Sequence, residues 1–202
     1  MSLPEGESPA PIETAGSLRV TRQRFPHDVL LIRHGESEAN AGTSDDCDCG
    51  LTALGREQSE KTGRLLRRHF DLSGTIAITS PYRRARETAE LIAQGSALAF
   101  RADPRVREWG KDCVIDGTSY PEETLAKAAI RLDVFLRLLI PSQRYVIVSH
   151  ATPIFLMMQL LTRGSVAAAI PHCTRDFWSA IKNCGVTQVR EGKTVCVSKL
   201  LG

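Results

Sequence analysis

Leu30-Leu31-Ile32-Arg33-His34-Gly35-Glu36-Ser37 carries an apolar run straight into an Arg-His pair and a glycine. The branched, apolar residues 28–32 suit a strand covered on both faces in a parallel sheet. Ligands of such sheets collect beyond the carboxyl ends of the strands, where Arg33 and His34 fall. Gly35 has no Cβ, so the backbone there can turn sharply and approach a ligand. Arginine offers a planar fork of donors that matches a phosphate, and a neutral imidazole offers a nucleophilic nitrogen. The pair suggests phosphoryl transfer through a phosphohistidine. Taken alone, the segment reads equally well as a polar strand end facing water.

The rest of the chain sets the frame. With 202 residues, 42% of them hydrophobic, it is long enough for one full core, and two domains would be cramped. Residues 1–24 are rich in Pro, Gly, Ser and Glu and predict a flexible tail, leaving a single domain over 25–202. No apolar run approaches the roughly 18 residues of a membrane span, and Glu5, Glu7 and several prolines stand where a signal peptide would be hydrophobic. The six cysteines form no CxxC pair. That predicts free thiols in a reducing compartment, hence a cytoplasmic protein with no metal site, Cys47-Asp48-Cys49 being the one close pair. A net charge of +3 gives no case for nucleic acid.

Strand and helix patterns alternate, which predicts an α/β class: a mostly parallel central sheet with helices on both faces. Residues 51–70 read as a surface helix with Leu54, Gln58, Thr62, Leu65 and His69 as its inner stripe. Residues 75–79 read as a second strand, and Pro81 as the first position of the helix that follows. Ser119 and Glu122 have capping-box spacing ahead of a helix whose apolar stripe is Leu125, Ala129, Leu132, Leu136 and Leu139. Residues 145–149 read as a third buried strand ending at His150, with Thr152-Pro153 capping the next helix. The segment 177–199 reads as short strands around Asn183-Cys184-Gly185 and Glu191-Gly192-Lys193. Three strand ends therefore carry Arg33-His34, the arginines after Ser80-Pro81, and His150. In a parallel sheet they would open onto one crevice, a pocket for phosphate in which arginines do the neutralising and no metal is needed.

At this point the chain resembles the histidine phosphatase superfamily, the phosphoglycerate mutase-like family, over most of residues 28–190. Arg33-His34-Gly35-Glu36-Ser37 with Asn40 is similar to its signature. Asp48-Cys49-Gly50-Leu51-Thr52 followed by Gly55 is similar to its second motif, with Gly50 where proline is usual. Ser80-Pro81-Tyr82-Arg83-Arg84-Ala85-Arg86-Glu87-Thr88-Ala89 resembles its arginine-bearing helix start and singles out Arg84. Val148-Ser149-His150 resembles the second histidine segment, with Ala151 in place of glycine, and Asn183-Cys184 with Val186 resembles a late strand.

The resemblance implies a three-layer phosphoglycerate mutase-like fold and a phosphomonoester hydrolase with no cofactor. It implies that His34 is the nucleophile, that Arg33, Arg84 and His150 hold the phosphoryl oxygens, and that Asn40 and the backbone at Ala151 assist. A leaving alkoxide needs a proton, and Glu108 in Val106-Arg107-Glu108-Trp109-Gly110 best matches the family's acid, with Asp112, Asp116, Glu122 or Glu123 as substitutes. The short stretch from Trp109 to Ser149 favours a phosphatase over a mutase, and a binding or scaffold member stays open. The expected partner is a phosphorylated small molecule or phosphoprotein, with no nucleic acid or membrane. Acidic residues Asp45, Asp46 and Asp48 follow the nucleophile segment, and where they border the pocket they disfavour a heavily anionic sugar bisphosphate. Arg83 and Arg86 read as a solvated helix face, Trp109 as packing, and His27, His69 and His172 as bystanders.

Overall fold

The computed structural model describes residues 28–173 and 181–196. The expected N-terminal tail and His27 lie outside them. β1 (Asp28–Arg33), β2 (Ile76–Thr79), β3 (Phe100–Ala102) and β6 (Arg144–Ser149) run parallel, while β7 (Val186–Arg190) and β8 (Lys193–Cys196) are antiparallel. The sheet order is β3-β2-β6-β1-β7-β8, so the three expected chemistry-bearing strands are neighbours. β4 (Cys113–Ile115) and β5 (Thr118–Tyr120) form a separate hairpin.

Alternation along the strands splits the core in two. Val29, Leu31, Tyr145 and Ile147 face α3 (Leu125–Arg137), α4 (Ala151–Arg163) and the short α5 (Val166–Ala169). Leu30, Ile32, Val146 and Val148 face α1 (Ala53–His69) and α2 (Arg83–Ser96). The result is the three-layer α/β sandwich expected. Among the described residues no single helix is long and apolar enough to cross a membrane.

Several local expectations need correction. The inner stripe of α1 is Gly55, Ser59, Thr62, Gly63 and Leu66, whereas Leu54 is 49% exposed. The reason is close helix approach: a Cβ at Gly63 would lie 2.7 Å from the carbonyl oxygen of Ile92, so small residues, not apolar ones, mark the contact. Ser119 is paired in the β4–β5 hairpin, and Thr124 caps α3 by accepting from the backbone N–H of Lys127. Pro81 precedes α2, whose N-cap is Tyr82. His150 itself is the N-cap of α4, with Thr152 and Pro153 inside its first turn. Positions 177–180 and 197–199 of the expected late strands lie outside the described residues.

The cysteines give the largest correction. Cys47 and Cys113 form a disulfide with Cα atoms 5.9 Å apart, closing a separation of 66 residues. The spacing gave no sign of it because the two meet only when the loop after β1 folds against the β4–β5 hairpin. Free thiols remain at Cys49, Cys173 and Cys184, but they no longer argue for a reducing compartment.

Closing so long a loop restricts the unfolded chain. Cys113→Ser is expected to lower unfolding stability by about 2–4 kcal/mol in urea titrations. Dithiothreitol should destabilise the wild type by a similar amount and leave the variant's midpoint where it was.

Candidate active site

The first strand ends with its backbone tied on both sides. His34 N–H donates to Ser149 O (3.0 Å), and Cys184 N–H donates to Arg33 O (3.0 Å). Gly35 follows, and its N–H donates to Thr88 Oγ1 (3.0 Å). A Cβ on Gly35 would lie 2.4 Å from the carbonyl oxygen of Gly55, and one on Gly55 would lie 2.0 Å from that of Glu36. Glu36 joins the same contact, accepting from Thr52 Oγ1 (2.8 Å), whose hydroxyl in turn accepts from Gly55 N–H (3.1 Å) to cap α1. The turn after β1 is thus set against the start of α1 at backbone distance.

That turn fixes the imidazole. His34 is buried, and its Nδ1 is 2.7 Å from the carbonyl oxygen of Gly35, which can only accept. Nδ1 therefore carries the hydrogen and Nε2 keeps its lone pair. Arg84 Nε lies 3.3 Å from Nε2, and Arg84 Nη1 donates to Cys47 O at 2.7 Å. The guanidinium also lies over the Tyr82 ring, 4.8 Å from its centroid. Arg33 is anchored through Nη1 to Ile181 O (2.7 Å), and its buried Nε has no partner among the described residues.

His150 is fully buried at the end of β6, with its ring 5.1 Å from that of His34. Its Nε2 is 2.8 Å from Ser80 Oγ, which already accepts from Tyr82 N–H. Ser80 Oγ can donate to Nε2 or accept from it, and the first arrangement puts the imidazole hydrogen on Nδ1. That atom has no hydrogen-bond partner among the described residues and stands 3.7 Å from Glu108 Oε2.

Glu108 is three-quarters buried, its side chain 26% exposed. The segment before it is pinned from three sides. Ser149 Oγ donates to Val106 O (2.7 Å), Arg131 reaches the carbonyls of Arg105 and Arg107, and Glu123 pairs with Arg131 (2.6 Å) and Arg107 (3.5 Å).

One cavity of about 370 Å³ gathers Arg33, His34, Asn40, Arg84, Glu108 and Ala151. Six of the seven expected site residues line it directly, and His150 sits against it through Glu108. Three of the four substitute acids are engaged elsewhere: Glu123 in its ion pairs, Asp112 with Glu122 N–H, and Asp116 with Arg86. Asp45 and Asp46 border the cavity, but Asp48 turns away to accept from Arg83 N–H (2.6 Å) at the start of α2. Arg83 pairs with Glu87 (2.8 Å), and Trp109 packs against the core.

Sequence reasoning missed the supports. Asn183 Nδ2 donates to His34 O (3.1 Å) and to Asn40 Oδ1 (2.9 Å), leaving the Asn40 amide NH₂ to the pocket. Ser149 and Thr88 were visible within the quoted motifs, but only the packed strands and helices show what their hydroxyls hold.

Electrostatics follow from this geometry. Burial, then the nearby Arg84 guanidinium, hold His34 well below the usual imidazole range, with Gly35 O opposing and Arg33 adding to the effect. Burial and Arg84 do the same to His150. Burial raises the Glu108 carboxyl despite Arg84, the Trp109 N–H, Arg33 and Arg131. The pocket therefore combines a neutral imidazole, fixed cations and a carboxyl that keeps its proton to higher pH.

Two histidines and two arginines gathered beyond the carboxyl edge of an α/β sheet, around one cavity, make a pocket suited to an anion. The model of the histidine phosphatase superfamily, branch 1, matches residues 29–123. The match covers 95 of the 202 residues, and over that stretch the chain resembles this superfamily. A probable phosphoglycerate mutase GpmB of Erwinia tasmaniensis is 35% identical over 108 residues, covering 50% of this chain and 49% of that protein. Its counterpart in Photorhabdus laumondii is 28% identical over 190 residues, covering 80% and 83%. The chain spans about half the length, or less, of the first curated relatives it matches, 49% and 37% for two of them. Among solved structures, a mycobacterial glucosyl-3-phosphoglycerate phosphatase has TM-score 0.58 at 21% identity, covering 80% of this chain and 90% of that one. A phosphoserine phosphatase from Entamoeba histolytica has TM-score 0.58 at 22% identity, covering 80% and 89%. These two likenesses show the phosphoglycerate mutase-like fold.

The depressed histidines imply a pH-dependent stability. Below the ordinary imidazole value of 6.5 the unfolded chain protonates both rings while the folded chain keeps them neutral. The unfolded state then binds more protons, so stability falls as pH falls below 6.5, by up to about 1.4 kcal/mol per pH unit per ring, and is flat above it. Glu108, with its raised value, acts in the opposite direction as pH falls through its folded pKa. Urea unfolding from about pH 7.5 to about pH 5 should show the net loss, and His34→Asn should make the slope shallower.

Proposed function

We propose that the protein is a phosphomonoester hydrolase working through a phosphohistidine on His34. The observation that carries this reading is the imidazole tautomer: Gly35 O takes the Nδ1 hydrogen, and Nε2 faces a pocket lined by guanidinium groups. In the first step the Nε2 lone pair attacks phosphorus and the ester P–O bond breaks. Glu108, whose carboxyl burial shifts towards the protonated form, gives its hydrogen to the departing alkoxide. In the second step Glu108, now a carboxylate, takes a proton from water, which attacks phosphorus and breaks the P–N bond.

Arg33, Arg84, the Asn40 amide, the Nδ1 hydrogen of His150 and the backbone N–H at Ala151 are the donors for the phosphoryl oxygens. They are fixed before substrate arrives, so they stabilise charge on the flattened phosphoryl group without reorganising. The N-terminus of α4 adds its partial positive charge behind them. These donors leave no step that requires a metal. The substrate class is a phosphorylated small molecule, in keeping with the glucosyl-3-phosphoglycerate and phosphoserine phosphatases among the structural neighbours. A mutase is the second reading, favoured by the names of the GpmB relatives.

Hydrolysis of p-nitrophenyl phosphate tests the first step. His34→Ala is expected to lose at least about 10³-fold in kcat, and equal rates in both proteins would sink the mechanism. Glu108→Gln should slow alkyl phosphates by about 10²–10⁴-fold yet change p-nitrophenyl phosphate far less, because nitrophenolate leaves without a proton. EDTA should leave the rate unchanged, and a loss restored by added metal would count against the scheme. Interconversion of phosphoglycerates faster than their hydrolysis would select the mutase.

A further inference from the structure

Three groups hold the Arg84 guanidinium: the Cys47 carbonyl oxygen, Nε2 of His34, and the ring of Tyr82, whose centroid lies 4.8 Å from the guanidinium carbon. None of the three is a carboxylate. Arg84 is only 9% exposed, a setting in which an arginine is normally paired with an acid. A carboxylate would compete with phosphate for the same fork of N–H donors. An aromatic face instead attracts the cation through the ring quadrupole and leaves those donors to a ligand.

The same tyrosine meets the second phosphoryl donor. Its ring lies 5.1 Å from that of His150, with the two planes at 74°. Its N–H donates to Ser80 Oγ, the oxygen that stands 2.8 Å from His150 Nε2. Tyr82 is itself wedged in place, 5% exposed and packed with Cys113 and Ile115 of β4 and Tyr120 of β5.

Local structure does not explain a tyrosine here. Position 82 is the N-cap of α2, where Ser, Thr, Asp or Asn is preferred, and the Tyr82 side chain makes no capping hydrogen bond. Its hydroxyl has no hydrogen-bond partner among the described residues. Burial raises the phenol above its ordinary value, so the ring is uncharged at neutral pH. What remains for the residue to offer the site is its aromatic face.

Resting on the phosphatase reading above, we propose that Tyr82 is a positioning residue for phosphoryl transfer: it holds Arg84 over its ring without neutralising it and braces the ring of His150. The role calls for an electron-rich ring and for no hydroxyl. It acts through the two donors, without contact with the reacting atoms.

Tyr82→Phe keeps the ring and should match the wild type in kcat/KM for p-nitrophenyl phosphate. Tyr82→Leu removes it and should lose about fivefold to thirtyfold, the size of a cation–π contact in a desolvated site. Fluorine atoms added stepwise to the ring of the Tyr82→Phe variant drain negative charge from its face while nearly keeping its shape. Along that series kcat/KM and the affinity for inorganic phosphate, read by calorimetry, should fall with each fluorine; a residue that only fills space would give a flat series. The fluorinated rings keep the test decisive even where urea unfolding shows Tyr82→Leu to be misfolded.

A flat fluorine series, a Tyr82→Phe loss as large as that of Tyr82→Leu, or a folded Tyr82→Leu with wild-type activity would each overturn the proposal. Absence of p-nitrophenyl phosphate turnover in the wild type refutes the phosphatase reading itself. Turnover with a flat series refutes the role of Tyr82 alone.

Discussion

Everything in the site depends on two glycines that let one backbone lie against another. Gly35 and Gly55 bring the turn after β1 onto the first residues of α1 with no room for a Cβ on either side. The same peptide unit then sets the chemistry, because the carbonyl of Gly35 takes the imidazole hydrogen of His34. Steric fit and protonation are coupled here: a turn pushed outward would move the acceptor that decides which nitrogen is bare. Thr88 and Thr52 secure the arrangement from two helices.

Such a pocket is costly to assemble. Two guanidinium groups and two imidazoles share a desolvated space, and four positive charges there would repel one another strongly. The structure meets this by keeping both rings neutral and by anchoring each guanidinium to a main-chain carbonyl, Arg33 to Ile181 and Arg84 to Cys47. Glu108 supplies the carboxylate among these cations, and burial is the larger influence on it. The neutral imidazole of His34 therefore follows from burial first and from the neighbouring guanidinium groups second.

The fold and most of the residues around the cavity were legible because both depend on local pattern. Apolar runs located β1, β2 and β6, and motif spacing chose Arg84 over Arg83 and Arg86, which the structure finds in ion pairs with Glu87 and Asp116. What was not legible depends on distant segments meeting. The inner face of α1 was misplaced by one position because helix contact there rests on Gly55, Ser59 and Gly63, which no count of apolar residues detects. The Ser119–Glu122 spacing looked like a cap but belongs to a hairpin whose turn takes Asp116 and Gly117 to positive φ. Cys47 and Cys113 looked like unrelated thiols until the loop and the hairpin were seen side by side.

The disulfide also divides the catalytic equipment by topology. The covalent ring it closes, from Cys47 to Cys113, contains Arg84 and Glu108, while His34 and His150 lie on the open chain on either side. Arg84 and Glu108 are therefore parts of one macrocycle, to which neither histidine belongs. Opening that ring would leave every one of these side chains chemically intact. It would alter only the freedom with which the side of the cavity carried by the ring meets the side carried by the open chain.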